Sequence, residues 1–283
     1  MARRTRLDAE LVRRGLARSR GEAADVIAAG RVTVDGQAAG KPGRQVDPAQ
    51  AIEVTPAEGP EQHWASRGAY KLLGALDALG ERAPRIEGVR ALDAGASTGG
   101  FTDVLLHFGA SSVVAVDVGY GQLAWRLRQD PRVEVHDRTN VRHLRPEDVA
   151  PAPGLVVSDL SFISLPLVLP ALRHCAAPDA SFLLMVKPQF EVGRQRLGSG
   201  GVVRDPALHH EAVEGVVVAA QAEGLDCWAV AASPLPGPAG NVEYFVALQA
   251  DHPDALMGEN LAAAVVNAIH NGPAGPYRLN EEQ

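Results

Sequence analysis

Lysine is scarce in this chain: Lys41, Lys71 and Lys187 are the only three among 27 basic residues. Where arginine fills nearly every basic position, a surviving lysine suits work that arginine cannot do, above all giving up a proton. Lys71 lies in Ser66-Arg-Gly-Ala-Tyr-Lys-Leu-Leu, which reads as the opening of a helix with Ser66 as its cap. Lys187 closes the β-rich run Phe182–Lys187 and leads into Pro-Gln-Phe-Glu. Asp159, in Ser-Asp-Leu-Ser-Phe, closes another such run, and Glu243 begins the last one. If that last strand runs antiparallel to the others, its beginning lies at their carboxyl edge. Two lysines and two carboxylates scattered through the sequence then converge.

The elements that must position them alternate from residue 64 onward. Val89–Asp93, Ser112–Asp117, Arg132–Asp137, Leu155–Asp159 and Phe182–Lys187 are short β-rich runs, each ending in a charged residue. Helical patterns such as Thr102–Phe108 and Gly121–Gln129 separate most of them. Asp226–Ala232 and Asn241–Gln249 follow the helical stretch His209–Ala222. This predicts a doubly wound, Rossmann-like α/β sheet, mostly parallel, with ligands outside the carboxyl ends of the strands. The first loop, Asp93-Ala-Gly-Ala-Ser-Thr-Gly-Gly-Phe-Thr, has Gly95, Gly99 and Gly100 for a tight turn and close backbone approach. Asp117 ends the next strand, where an acidic residue commonly holds ribose hydroxyls. The glycines do not follow G-x-G-x-x-G, and a carboxylate at Asp93 opposes a pyrophosphate. A cofactor with a cationic part, S-adenosylmethionine, fits better, with Asp137 and Asn140 near its adenine.

The first sixty residues differ in character. Residues 1–20 hold seven arginines against Asp8 and Glu10, a balance of +5, whereas 61–283 sum to −9 within a total of −7. Leu7, Leu11, Val12 and Leu16 repeat at helical spacing. Ser19 and Glu22 form a capping box before Ala23, Val26 and Ile27, and Asp35-Gly36 marks a hairpin. Ala51–Thr55 is a further short strand; Pro56, Gly59 and Pro60 punctuate a linker. The expected division is a small α+β domain over 1–59, a linker over 60–65, the large domain over 66–253, and a helix with a polar tail over 254–283. No apolar run approaches the ~18 residues a membrane span needs, no secretory signal is visible, and two cysteines exclude a disulfide scaffold. A cytoplasmic protein without membrane partners is expected. His209-His210 lacks a second ligand cluster at zinc-like spacing, so it reads as a helix surface and no metal is assigned.

The stretch from Arg6 to Gly36, followed by Lys41-Pro-Gly, resembles the alpha-L RNA-binding domain first met in a small-subunit ribosomal protein. That resemblance assigns Arg4, Arg6, Arg18, Arg20 and Lys41 to RNA, mainly to phosphates; Arg67, at the domain junction, joins them. DAGASTGGFTD, DLSFIS, VKPQFE and GNVEYF, with the Lys-Asp-Lys-Glu set, resemble the FtsJ/RrmJ-like ribose 2′-O-methyltransferases. The two parts in this order resemble the TlyA family, also labelled hemolysin. The resemblance implies methylation of a cytidine ribose in ribosomal RNA within intact subunits, with Lys71, Asp159, Lys187 and Glu243 as catalytic residues. It adds Ser97, Thr98 and Phe101 to the cofactor loop and Asp159 to the cofactor's contacts. A ribose hydroxyl holds its proton tightly, and a lysine can take it only when uncharged, a state that burial and a nearby cation favour. On this reading Lys187 is the base, Lys71 the neighbouring cation, Asp159 the aligning group, and Glu243 the partner of Lys71 or of the ribose. Phe162 is placed either against the target base or under its loop, and Gly193–Gly201, with Arg194 and Arg196, is either a lid touching RNA or a plain connection. Oligomeric state and the methylated nucleotide are not readable. A membrane-lytic protein and a non-catalytic RNA-binding assembly factor are the rival readings; the complete tetrad favours an enzyme.

Overall fold

In the computed structural model, which describes residues 4–17, 20–47, 49–55, 64–237 and 239–273, the chain divides into two units, Met1–His63 and Trp64–Gln283. In the first unit the helical spacing of Leu7 and Leu11 becomes α1 (Leu7–Arg13), preceded by the two-residue strand β1 (Thr5–Arg6). Then come α2 (Arg20–Ala28), β2 (Val32–Val34), β3 (Gln37–Ala38), β4 (Gln45–Val46) and β5 (Ile52–Val54). Asp35 and Gly36 both have positive φ, 52° and 77°, the turn that a two-residue hairpin between β2 and β3 requires. Leu7, Leu11, Ala23, Ile27, Val32, Val34 and Val46 are fully buried and form this unit's own core. The pairing of β1 with β4 has no counterpart in the sequence reading, since two-residue strands carry no measurable period. Arg18, the Ser19 cap, the linker prolines, Gly59 and the tail beyond 273 lie outside the described residues.

The second unit is a three-layer αβα structure. Its elements are α3 (Gly68–Leu79), β6 (Arg90–Ala94), α4 (Gly100–His107), β7 (Ser112–Val116), α5 (Trp125–Arg128), β8 (Val133–His136), β9 (Leu155–Ser158), α6 (Leu169–Cys175), β10 (Ser181–Val186), α7 (Pro188–Glu191), α8 (Pro206–Ala222), β11 (Asp226–Ala232), β12 (Tyr244–Gln249) and α9 (Gly258–Asn271). The seven strands lie in the order β11-β12-β10-β9-β6-β7-β8, all parallel except β12, which is antiparallel to both neighbours. The central strands are buried on both faces, as a parallel sheet between helices demands. Leu72, Leu79, Val104 and Leu105 of α3 and α4 cover one face; Leu169, Leu172, Val213, Val216 and Val265 of α6, α8 and α9 cover the other.

Three local expectations are corrected. Gly121–Gln129 is helical only over Trp125–Arg128, because the chain loops out through Gly121 at φ 65° before the helix begins. Glu243 precedes β12 rather than opening it, since the ladder starts at Tyr244. Arg67, not Ser66, takes the cap position of α3; Ser66 Oγ accepts from the Gly68 amide at 3.3 Å just outside the helix.

Candidate active site at the carboxyl edge of the sheet

Antiparallel β12 decides the geometry. Its register with β10 pairs Val186 with Tyr244, so the next residues outward, Lys187 and Glu243, leave the sheet at the same edge. The parallel register of β9 pairs Ser158 with Leu184 on β10 and with Ala94 on β6, which delivers Asp159 to that edge as well. Helix α3 brings Lys71 across Met185, with Nζ 4.0 Å from Sδ.

The four groups form a chain of alternating charge. Lys187 Nζ lies 2.5 Å from Asp159 Oδ1, and Asp159 Oδ2 lies 3.8 Å from Lys71 Nζ. Lys71 Nζ in turn donates to Glu243 Oε2 at 2.6 Å. Lys187 Nζ also donates to Ser161 Oγ at 2.9 Å. Lys71, Lys187 and Glu243 are buried, and Asp159 is half-buried. Charges this far from water persist only when paired and hydrogen-bonded, and each here has an opposite partner. The formal sum is zero, and Asp159 is shared by both cations.

The glycine loop borders this cluster. Gly95 has φ 91°, and a Cβ there would lie 3.0 Å from the Asp159 carbonyl oxygen, so the loop passes directly against the tetrad strand. A Cβ at Gly100 would fall 2.4 Å from Ser66 Oγ, which fixes how closely the starts of α3 and α4 approach. Asp93 is placed differently from the expectation of an open carboxylate facing a cation. It is fully buried one residue before the strand's end, with Oδ2 accepting from the Thr102 amide and hydroxyl at 2.9 and 2.7 Å. Its Oδ1 has no hydrogen-bond partner among the described residues. Burial pushes this carboxyl up to about 7, with Asp159 and Asp117 adding to the shift.

Asp117 spans the rim of the loop, accepting from the Ser97 amide at 2.8 Å and the Gly119 amide at 2.7 Å. Ser97 and Thr98 are exposed on the turn; Phe101 instead puts its ring into the core, stacked on Phe245 at 6.0 Å. Asp137 is engaged by Arg128 and accepts from the Gly121 amide at 3.2 Å, while Asn140 accepts from the Arg142 amide. These residues fit S-adenosylmethionine: a glycine turn without room for side chains, an unpartnered buried carboxylate oxygen beneath it, and acidic groups at successive strand ends. Among the described residues no group of three or more histidine, cysteine, aspartate or glutamate side chains is placed to hold a metal.

The candidate RNA-binding cations of the N-terminal unit divide into two kinds. Arg6 and Arg20 are both bound to buried Asp8 at 2.9 Å, whereas Arg4 and Lys41 are exposed with no side-chain partner among the described residues. Arg67 is exposed at the start of α3. Phe162 stands 91% exposed at φ 65°, 5.4 Å from the Phe190 ring, so it is not packed under its loop.

A family model of the FtsJ-like methyltransferases matches residues 64–250, and one of the S4 domain matches residues 5–52. The 16S/23S rRNA (cytidine-2′-O)-methyltransferase TlyA of Mycobacterium tuberculosis is 56% identical over 273 residues, 96% of this chain and 100% of that protein. This chain is an FtsJ-like methyltransferase of the TlyA family. Hemolysin A of Brachyspira hyodysenteriae is 34% identical over 84% of this methyltransferase and 97% of its own length. A hemolysin-named structure from Streptococcus thermophilus superposes with a TM-score of 0.73 at 34% identity, covering 100% of each chain. Among the described residues of the methyltransferase no helix is long and apolar enough to cross a membrane.

Sequence reasoning missed Ser161, a direct partner of Lys187, although its place in Asp159-Leu-Ser161 beside the tetrad was a usable signal. It also misplaced His209. That side chain is 1% exposed, with Nδ1 2.9 Å from Tyr244 Oη and Nε2 2.9 Å from the Val203 carbonyl oxygen. Only His210, near Glu214, lies on the outer side of α8. The sequence pair suggested one common face, but consecutive helical residues point about 100° apart.

Proposed function

We propose that this methyltransferase transfers a methyl group from S-adenosylmethionine to a ribose 2′-hydroxyl, of cytidine, in the ribosomal RNA of assembled subunits. The observation that carries the reading is the linked tetrad Lys187–Asp159–Lys71–Glu243 at the carboxyl edge. S-adenosylmethionine, when bound, supplies a methyl group already activated on a sulfonium. The chain's residues then need to hold a hydroxyl in line and take its proton.

Lys187, in its uncharged form, accepts the hydroxyl proton at Nζ. Asp159 Oδ1 and Ser161 Oγ fix that nitrogen from two sides, leaving its remaining direction for the hydroxyl. Lys71 stays charged through Glu243 and offers Asp159 a cation when Lys187 has none, so the cluster keeps a partner for every carboxylate. Gly95, Ser97, Thr98, Gly99, Gly100, Asp117, Asp137 and Asn140 border the cofactor's place, and the free oxygen of Asp93 lies beneath it. Phe162, exposed beside Ser161, offers a stacking surface to a base. The N-terminal unit holds RNA through Arg4 and Lys41 and through the donors that Arg6 and Arg20 have not committed to Asp8, contacts to phosphate that give affinity rather than sequence choice. A ribosomal substrate places the enzyme in the cytoplasm.

Tritium transfer from methyl-labelled S-adenosylmethionine to purified ribosomal subunits, with protein-free rRNA and Lys187→Ala as controls, tests this. Label entering subunits and absent with the variant is the expected result. Label that persists with Lys187→Ala, or never appears with the wild type, overturns it.

A further inference from the structure

Glu243 is separated by one residue from Asn241 and followed directly by Tyr244, and all three are buried. None of the three side chains is idle. Glu243 holds Lys71 at 2.6 Å, while Asn241 bonds directly to Gly201 and Val203 and Tyr244 reaches Val203 through His209. Asn241 Oδ1 accepts from the Val203 amide at 2.9 Å, and Asn241 Nδ2 donates to the Gly201 carbonyl at 3.1 Å. The Val203 carbonyl is bonded by His209 Nε2, whose other nitrogen meets Tyr244 Oη. A carbonyl can only accept, so Nε2 carries the proton and Nδ1 accepts from the tyrosine hydroxyl. Burial holds the His209 imidazole below its ordinary value, consistent with the neutral ring this ring of bonds needs.

The result is a closed circuit: Asn241 to Val203, Val203 to His209, His209 to Tyr244, and back along the backbone through Glu243. Its members are all under 4% exposed. Between Lys187 and Val203 runs the segment that bears Arg194 and Arg196, and Arg204 follows directly after Val203. Its inner turn is tight, with the Gly198 amide donating to the Val202 carbonyl at 3.1 Å. Arg196 ties the near end to Glu211 at 2.5 Å; the circuit ties the far end. Arg194 and Arg204 are exposed with no side-chain partner among the described residues.

We propose that Asn241 and His209 form a buried latch that positions Glu243 against Lys71 by locking residues 201–205 onto the entry of β12. The proposal deepens the methyltransferase reading above and rests on it. Among the described residues the side chains of Asn241 and His209 bond to Gly201, Val203 and Tyr244 and to no member of the tetrad, so the proposed action runs through Glu243. A side chain that merely fills space would slow the enzyme only through general loss of stability. A latch makes a sharper demand: the effect of its loss on the transfer rate runs through Glu243.

Two measurements test this. Hydrogen exchange on the full chain reads the latch without any substrate. Asn241→Ala is expected to speed exchange about tenfold or more in both 199–205 and 242–246, whereas faster exchange confined to 199–205 overturns the proposal. A double-mutant cycle in methyl transfer to subunits reads its consequence. Asn241→Ala is expected to lower kcat about tenfold with S-adenosylmethionine affinity unchanged, and to have little further effect in the Glu243→Gln background. Additive losses overturn the proposal. His209→Gln, which keeps one donor and one acceptor, is expected to retain most of the rate that His209→Leu loses, and equal losses overturn it. If Asn241→Ala does not fold, Asn241→Asp takes its place, keeping the acceptor for Val203 and losing the donor to Gly201. Absence of transfer by the wild type would overturn the methyltransferase reading and leave the exchange measurement to decide the latch.

Discussion

Two regions of this molecule solve the same electrostatic problem with different cations. In the N-terminal unit, buried Asp8 is held by Arg6 and Arg20, and buried Glu10 by Arg13 and Arg14. At the carboxyl edge of the large sheet, Asp159 and Glu243 are held by Lys71 and Lys187. Both clusters set two carboxylates, at least partly buried, against basic side chains within 4 Å. The guanidinium is planar, delocalised and permanently charged, so the first arrangement is a fixed clamp. An ammonium is compact and can lose its proton, so the second can change its protonation. Arginine serves where the charge must stay, and on the proposed mechanism Lys187 stands where it must be able to leave.

The comparison breaks most visibly at Lys187. Lys187→Arg preserves the charge opposite Asp159 and removes the capacity to accept a proton; single-turnover methyl transfer is expected to fall about a thousandfold. A rate within tenfold of wild type would place the base elsewhere. Glu243→Gln comes next, because it leaves the buried Lys71 ammonium with only the more distant Asp159. A loss of about 3 kcal/mol in unfolding free energy of the large unit, by urea titration, is expected together with a reduced kcat. The matching change in the other region, Glu10→Gln, leaves two arginines that still reach solvent. A loss of about 1–2 kcal/mol, without change in the transfer rate at saturating substrate, is expected.

Acid separates the two regions further. Arg13 and Arg14 hold the Glu10 carboxyl down at about 2, with Asp8 depressed in the same way. Their stabilisation is full above the ordinary carboxylate range and lost as pH falls from 4.5 toward 2. Asp93 runs the other way. Its folded-state value of about 7 lies above the ordinary 3.8, so the native state binds the proton more tightly, and stability falls as pH rises between those values. Asp93→Asn is therefore expected to flatten the pH 4–7 slope of thermal unfolding in the large unit and leave the low-pH loss in the N-terminal unit. The smallest effect is expected from Arg13→Lys. It gives up a two-point contact on Glu10 and keeps the charge, so the urea midpoint is expected to move less than for Glu10→Gln.

Most of the architecture was legible because its signals are local. Buried strands such as Leu155–Ser158 are short apolar runs, and a helix such as α3 repeats Leu72, Ala75 and Leu79 on one face. The lysines announced themselves by rarity. His209 was illegible for the opposite reason: its two partners, Val203 and Tyr244, are 6 and 35 residues away, and nothing in a histidine pair shows which ring turns inward. Phe101 was misleading in another way. It belongs to the cofactor loop by sequence, but its ring packs on Phe245 in the core.

By itself, then, the sequence determined which groups were available and the order of the main elements: a basic head, an alternating α/β body, and charged residues at or next to the ends of successive strands. Periodicity and turn chemistry act over a few residues, so these are properties of short windows. Only the tertiary structure decided that Lys187 shares Asp159 with Lys71, that Glu243 serves Lys71, and that Asn241 and His209 meet over Val203. Lys71 and Glu243 are 172 residues apart. What joins them is the antiparallel insertion of β12 beside β10, and that choice is settled by which faces of the whole sheet can be buried at once.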